Sequence, residues 1–437
     1  MEKVEFVVVG AGLSGLAAAM VLAEAGAEVL VVERGDYPGS KNVTGGRLYL
    51  DPVRSFLPDI WENAPLERRV VKEKLTMMAP SASITIELNS ERFRQPTYSS
   101  YTLLHASFDR WFADQAAQRG ALVIPGYRVD DLIMEGGKIS GIVSSGDEIH
   151  ADAVIAADGA LSFMAEKAGL RRHHSNKNYA VAVKEVIELS PESIGERFGL
   201  KNNEGAAHLF LGASTMGLQG GGFLYTNRES LSLGLVIDIH DSITKNGPKQ
   251  KEASNTSSPH DLLEAFKARS EIQPLISGGN SVEYSAHLIP EGGFNAIPQL
   301  VTDGMVLVGD AAGFILNMGV TVRGMDFAIA SGVMAARALL HAREKNDFSR
   351  TSLSHYERQL KDSFVWQDLK SFRYMPDFLA TPRLYELYPS VACEVLEQAF
   401  WIGEMPKEKL SKTIFRTFRK QLLHLGVLKD MFMLGRT

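Results

Sequence analysis

Val4 to Val9 form an unbroken apolar run, the pattern of a parallel strand buried on both faces. A glycine turn follows, and Leu16 to Ala25, rich in Ala and Leu, predicts a helix. Glu28 to Glu33 predicts the second strand. Further on, Ala153 to Ala157 and Met305 to Val308 are short apolar runs, each ending in a Gly/Asp turn, and predict strands returning to the same sheet. Between these the spacing changes. Leu75 to Leu88, Tyr179 to Leu189 and Ser230 to Ile239 alternate or run apolar at strand spacing, which predicts a second, mostly β layer. Asp241 to His260 is polar and predicts a solvated loop, and from Ser349 onward the pattern turns helical. No internal repeat is present.

A chain of 437 residues is too long for one hydrophobic core and predicts two or three domains. Hydrophobic content of 45% with 22% charged residues fits an ordinary soluble globular protein. A net charge of -6 argues against a general nucleic-acid binder, which needs a basic surface. Cys393 is the single cysteine, so an internal disulfide, an iron–sulfur cluster and a thiolate zinc site are all excluded, and a reducing, cytoplasmic setting is expected. No HExxH motif or cluster of metal ligands appears. The N-terminus does not read as a secretory signal, and no run approaches the ~18 apolar residues of a membrane span. Contact with a membrane surface stays open.

The glycine turn is Gly10-Ala11-Gly12-Leu13-Ser14-Gly15, a GxGxxG fingerprint directly after a strand and opening a helix. Gly10 permits the tight turn, Gly12 lets backbone approach a pyrophosphate, and Gly15 lets helix pack on strand. Leu13 and Ser14 sit where the helix N-terminus faces phosphates with its partial positive charge. Alone the motif is weak, since a glycine turn needs no ligand. Glu33 strengthens it: it ends the second strand, followed by Arg34, placed to accept hydrogen bonds from a ribose 2′-OH and to repel a 2′-phosphate. NAD and FAD share this fingerprint. Two more strand-end turns favour FAD, one at Asp158-Gly159 and one at Gly309-Asp310. Asp310 would reach the ribityl hydroxyls. The helix beginning near Gly324-Met325 would aim its amides at the pyrimidine end of the isoalloxazine, favouring the anionic reduced ring. Lys41-Asn42-Val43-Thr44-Gly45-Gly46-Arg47 falls where a flavin must lie. Gly45 and Gly46 would let backbone pass its edge, and Lys41 or Arg47 would balance the pyrophosphate or reduced ring; a solvated surface loop is the bland alternative.

Longer strings narrow the comparison. Lys41 to Tyr49 (KNVTGGRLY), Gln219 to Tyr225 (QGGGFLY), Tyr284 to Ile297 (YSAHLIPEGGFNAI), Gly309 to Gly332 (GDAAGFILNMGVTVRGMDFAIASG) and Tyr356 to Trp366 (YERQLKDSFVW) resemble the electron-transfer-flavoprotein:quinone oxidoreductase family, in its short FixC type, nearly end to end. The resemblance implies an α/β fold: a glutathione-reductase-type FAD-binding Rossmann domain (1–74, 100–170, 290–345) interrupted by a β-rich quinone domain (75–99, 171–289), with a helical C-terminal region (346–437). It adds Val129 to the expected FAD contacts and implies quinone contacts at Gly220-Gly221. Bare backbone there would let a flat head approach; a turn or bulge is the alternative on the residues alone.

Two departures stand out. Long members of the family carry a ferredoxin-like [4Fe–4S] domain that this chain lacks, so the resemblance implies a separate ferredoxin-like partner. The family usually has an arginine at His105, contributing to cofactor binding. Histidine would still hydrogen-bond but is mostly neutral at pH 7, which predicts weaker FAD binding unless Arg110 compensates. From Lys407 to Thr437, eight basic residues (Lys407, Lys409, Lys412, Arg416, Arg419, Lys420, Lys429, Arg436) face Glu408 and Asp430, a balance of +6. Leu410, Ile414, Phe418 and Leu422 recur every fourth residue. A basic amphipathic helix is expected, docking on anionic lipid or an acidic partner, or else packing on the core.

The implied activity is flavin-mediated electron transfer from electron-transfer flavoprotein to a quinone, in a FixABCX-like complex, without a catalytic side chain. Flavin monooxygenases and prenyl (geranylgeranyl) reductases share the domain plan. A docking subunit with purely structural FAD is a third alternative.

Overall fold

The structure is a computed structural model and describes residues 2–42, 46–171, 175–245, 258–404, 406–417, 419 and 425–436. The chain divides into two compact units, Met1–Arg69 with Gln95–Tyr179 and His287–Arg373, and Val70–Arg94 with Ala180–Ala286 and Tyr374–Thr437.

The first unit is built on an eight-stranded sheet whose central order is Val301–Thr302, Met305–Leu307, Asp147–Ala156, Glu2–Val9, Val29–Glu33 and Leu122–Pro125. The neighbours of Glu2–Val9 are parallel to it, with Val7 opposite both Val154 and Leu30. The apolar runs at Val4, Ala153 and Met305 lie in these strands, the last two running one residue past the strand ends at Ala156 and Leu307, and Phe6, Val7, Val154 and Val306 are fully buried. Helix Leu13–Glu24 starts directly after Gly12, three residues ahead of the Leu16 start predicted from composition. It packs on the long helix Met325–Glu344 with almost no clearance: a Cβ at Gly332 would lie 2.1 Å from the Ser14 carbonyl oxygen. Helix Arg350–Asp362 closes the core, where buried Tyr356 donates its hydroxyl to the Leu307 carbonyl at 3.0 Å and burial raises the phenol well above its ordinary value.

The second unit holds an antiparallel sheet ordered Asn280–Pro290, Tyr179–Glu188, Ser230–Asp238, Gly220–Thr226, Glu204–Gly212 and Arg69–Met78. Leu75 to Leu88 is two strands rather than one. Arg69–Met78 and Ser83–Asn89 form a hairpin, with Leu75 opposite Ile86 and a turn around Pro80 closed by the Ala79 amide on the Ala82 carbonyl. The polar stretch Asp241 to His260 is helical at both ends, in Ile239–Lys245 and Pro259–Lys267, while 246–257 lie outside the described residues. Pro259 opens the second helix and Ser258 and Asp261 cap each other's backbone amides, a start signal carried by polar residues.

Two buried polar side chains in this unit, Lys72 and His208, have partners on other elements. The Lys72 ammonium donates to the Phe198 and Gly199 carbonyls at 2.7 and 3.3 Å, where helix Pro191–Phe198 ends. His208 Nε2 meets Thr76 Oγ1 at 2.6 Å, and burial lowers this imidazole to about 3, so it is neutral throughout the ordinary pH range. The C-terminal helices Met375–Leu379, Leu387–Phe400, Leu410–Thr417 and Leu425–Leu434 also belong here. In Leu410–Thr417 the buried residues are Thr413 and Thr417, whereas Leu410, Ile414 and Phe415 are exposed; Phe418, Lys420 and Leu422 lie outside the described residues. The apolar spacing therefore does not mark a core-packing face here.

Because the atoms facing Gly332 are backbone, Gly332→Ala is expected to cost about 1–3 kcal/mol through overpacking. The check is a urea midpoint that falls while the denaturant slope stays unchanged.

Candidate flavin cradle

Three turns at the carboxyl ends of adjacent parallel strands meet in the first unit, the position where open α/β sheets bind ligands. Gly10, at φ +105°, lies so close to the second turn that a Cβ would sit 2.4 Å from the Ala157 carbonyl oxygen. A Cβ at Gly15 would sit 2.1 Å from the Gly10 carbonyl oxygen, and one at Gly309 2.5 Å from Ser14 Oγ. These glycines are packing requirements. Gly12 is different: a Cβ there would meet no protein atom within 4 Å. Its backbone presents an open face at the start of helix Leu13–Glu24, whose first amides lack intrahelical partners by geometry. That combination fits an anionic group such as a pyrophosphate.

Glu33 does more than the fingerprint implies. One carboxylate oxygen accepts the Ala11 amide at 2.9 Å and the other the Gly35 amide at 2.6 Å, so the acid braces the glycine turn from the neighbouring strand. Each oxygen keeps capacity for a ribose hydroxyl. Arg34 beside it is exposed.

Asp158 serves its own turn. It accepts from the Ser162 hydroxyl at 2.7 Å and the Met164 amide at 3.0 Å at the start of helix Phe163–Lys167; burial pushes its carboxyl up while these bonds pull it back. Gly159 follows at φ +83°. Arg171, which carries no motif, joins two of the turns: it donates to the Ala160 carbonyl at 2.9 Å and to the Ala311 carbonyl at 2.7 Å. The third turn is fixed by the Gly309 amide on Ser331 Oγ at 3.0 Å. Asp310 is half-exposed yet enclosed enough that burial pushes its carboxyl up to about 6, with His105 pulling the other way. Helix Met325–Glu344 begins where predicted, N-capped by Gly324, and Ala328 in its first turn lies near the Gly309 turn.

The loop after Arg34 is divided in its roles. Lys41 is exposed, and Gly45, with Val43 and Thr44, lies outside the described residues. The Gly46 carbonyl accepts from the Leu103 amide at 2.8 Å. Arg47 is buried, its Nε donating to Ser100 Oγ at 2.8 Å and its guanidinium 4.5 Å from the Tyr49 ring centre. His105, buried at the start of helix His105–Gln118, faces Asp109. Arg110 is exposed and stacks over Tyr37 at 3.6 Å. Val129 opens strand Val129–Glu135, opposite Ser144. His173-His174 lie outside the described residues.

In the second unit, Gly220 and Gly221 open strand Gly220–Thr226. A Cβ at Gly220, at φ +146°, would lie 2.0 Å from the Val236 carbonyl oxygen, and one at Gly221 2.8 Å from that of Phe210. Close approach of the flanking strands by itself calls for glycine at both.

An FAD-binding domain model matches residues 3–197, and the C-terminal domain model of the ETF-QO/FixC family matches residues 375–437. The chain is 44% identical to "Probable electron transfer flavoprotein-quinone oxidoreductase YdiS" of Escherichia coli, covering 98% of this chain and 97% of the relative. It is 43% identical to Protein FixC of Escherichia coli over 97% and 96%, and 38% identical to Protein FixC of Azotobacter vinelandii over 100% and 99%. Among solved structures, a geranylgeranyl bacteriochlorophyll reductase-like protein from Thermoplasma acidophilum superposes with TM-score 0.70 at 21% identity, covering 99% of this chain and 100% of the other. The myxobacterial chondrochloren halogenase CndH, an FAD-dependent enzyme, gives 0.60 at 18% over 98% and 97%. At these identities the likeness is one of fold.

The raised carboxyl of Asp310 has a stability consequence in the cofactor-free protein. A folded value of about 6 against an ordinary 3.8 means its favourable share is complete below about pH 4 and lost as pH rises through 6. Asp310→Asn is expected to flatten the stability–pH curve over that window and to stabilise the apoprotein at pH 7 by up to about 3 kcal/mol. Urea titrations at stepped pH provide the check.

Proposed function

The chain belongs to the ETF-QO/FixC family of FAD-dependent electron-transfer oxidoreductases, and on that footing we propose that it passes electrons from an electron-transfer flavoprotein to a quinone. The observation that carries this is the convergence of the three strand-end turns on the open face of Gly12, in a chain whose family match runs nearly its full length. The flavin, when bound, supplies the redox chemistry, accepting and releasing electrons one or two at a time.

The side chains then have holding and tuning roles. Gly12, Leu13 and Ser14 receive the pyrophosphate on a turn that Gly10 and Gly15 hold closed, and Glu33 takes the adenosine ribose while Arg34 and Lys41 add positive charge at the rim. Asp310 accepts from the ribityl hydroxyls. The amides after Gly324 face the pyrimidine end, where helix polarity stabilises negative charge on the reduced ring. Asp158, Gly159, Gly46, Arg47 and Val129 shape the cradle from behind. No side chain is assigned a general-base role, because quinone protons can come from solvent. In this reading the second unit offers the Gly220-Gly221 strand start to the quinone head.

A separate ferredoxin-like protein completes the electron path in a FixABCX-like assembly. Cys393, the single cysteine, leaves this chain without ligands for a cluster of its own. No helix among the described residues is long and apolar enough to cross a membrane. The C-terminal segment supports docking on an anionic lipid surface: Phe400, Trp401 and Ile402 are 81, 76 and 74% exposed in succession, beside a basic stretch.

Anaerobic visible spectroscopy tests the electron path. The oxidised flavin bands should survive NAD(P)H, bleach on adding reduced electron-transfer flavoprotein, and return with quinone. Rapid bleaching by NAD(P)H alone would instead favour the monooxygenase or prenyl-reductase class. For the surface, the protein should sediment with anionic vesicles and remain free with neutral ones, and Trp401→Ser should release it; equal recovery from both vesicle types would remove the lipid assignment.

A further inference from the structure

The long helix Met325–Glu344 opens on a buried ion pair that the interlocked turns do not explain. Asp326, the second residue of the helix, is 1% exposed. Arg323, just ahead of the N-cap Gly324, donates from Nε to Asp326 Oδ2 at 2.8 Å, with Nη2 on the same oxygen. Its Nη1 donates to Asp368 Oδ2 at 2.5 Å, on helix Phe364–Ser371. The Phe327 and Phe364 rings flank the guanidinium at 4.6 and 5.3 Å. Asp326 Oδ1 is also buried and has no hydrogen-bond partner among the described residues. Burial pushes this carboxyl up, while Arg323 and the Asp326 and Phe327 amides pull it back. An acid stabilises a helix start from the surface as well, without the cost of desolvation. Stability alone therefore does not call for a carboxylate buried here with one oxygen unpaired.

We propose that Arg323 and Asp326 together set the reduction potential of the flavin through the field at this helix start. This rests on the reading that the first amides of the helix face the pyrimidine end of the ring. Those amides lack intrahelical acceptors and carry partial positive charge, which favours negative charge on the reduced ring. Asp326 lies within that first turn, so its carboxylate offsets the positive end at close range and under little solvent screening. Arg323 offsets the carboxylate in turn. Its guanidinium is shared: one positive charge faces two carboxylates, Asp326 and the 35% exposed Asp368. The helix dipole alone would give a fixed bias toward reduction. The ion pair lowers that bias by an amount that Arg323 limits. Both are positioning residues for charge, and neither transfers a proton or an electron.

The midpoint potential of the flavin bound to the full chain, measured anaerobically against reference dyes, is the readout. Dyes replace both physiological partners, so the result does not depend on the electron path. Asp326→Asn keeps the shape and removes the charge. It should favour the reduced flavin about tenfold, an upward shift of about 30 mV for two electrons. Arg323→Gln should shift the potential downward by a similar amount. The double variant, Arg323→Gln with Asp326→Asn, removes both charges and should return near the native value. It carries the test of Arg323 if Arg323→Gln alone, with its uncompensated buried carboxylate, fails to fold. Asp368→Asn should shift the potential upward by less, because solvent screens that carboxylate. A native potential in Asp326→Asn overturns the proposal and leaves the flavin cradle intact. Shifts of the same sign in Asp326→Asn and Arg323→Gln also overturn it, since lost packing would then be moving the flavin. A double variant as far upward as Asp326→Asn alone overturns the role of Arg323. Failure of the native protein to bind FAD overturns both this assignment and the cradle.

Discussion

The structure of the first unit turns on backbone touching backbone. Ala157 abuts Gly10 and Gly10 abuts Gly15 through their backbones, and Gly309 abuts the Ser14 side chain, in each case leaving no room for a Cβ. Three parallel strands can end in such contact only if their turns interlock at these residues. The helix that follows the first turn is then pressed onto the long helix through Gly332, and Tyr356 anchors helix Arg350–Asp362 to the third strand at Leu307. Close packing of this kind transmits displacement instead of absorbing it. Gly12 stands outside this interlock, and its open face is one that a phosphate could use.

Electrostatics are layered on that frame. Glu33, Asp158, Asp310 and the His105–Asp109 pair are each held by a different segment, and they have different work. Glu33 and Asp158 spend hydrogen-bonding capacity on the turns themselves, whereas Asp310 and His105 Nε2 are directed at no protein donor or acceptor among the described contacts. Arg171 connects the second and third turns through the Ala160 and Ala311 carbonyl oxygens, and its charge also pulls the Asp158 carboxyl down.

Much of this was legible in the sequence for identifiable reasons. Buried parallel strands are continuous apolar runs, and Val4, Ala153 and Met305 mark theirs within a few residues. The GxGxxG turn and the acid at Glu33 are local signals with a fixed structural meaning. What failed was whatever depended on partners distant in sequence. Leu75 to Leu88 kept strand spacing across a hairpin turn, so periodicity alone could not divide it. The helix at Pro259 announced itself through Ser258 and Asp261, a polar signal inside a stretch judged by its lack of apolar residues. Arg171 sits in no motif, and its carbonyl partners lie 11 and 140 positions away. Leu410 and Ile414 show the reverse limit: their spacing gives the helix correctly but not which side of it is covered.

The double grip of Glu33 on the Ala11 and Gly35 amides has an evolutionary consequence. The same carboxylate that would discriminate between adenosine riboses also holds the phosphate turn in shape. A lineage seeking to accept a 2′-phosphate at this position would have to remove its acid, and in doing so would loosen two backbone amides at once. Cofactor preference and turn geometry are therefore inherited together, and neither drifts freely without a compensating donor or acceptor elsewhere in the loop.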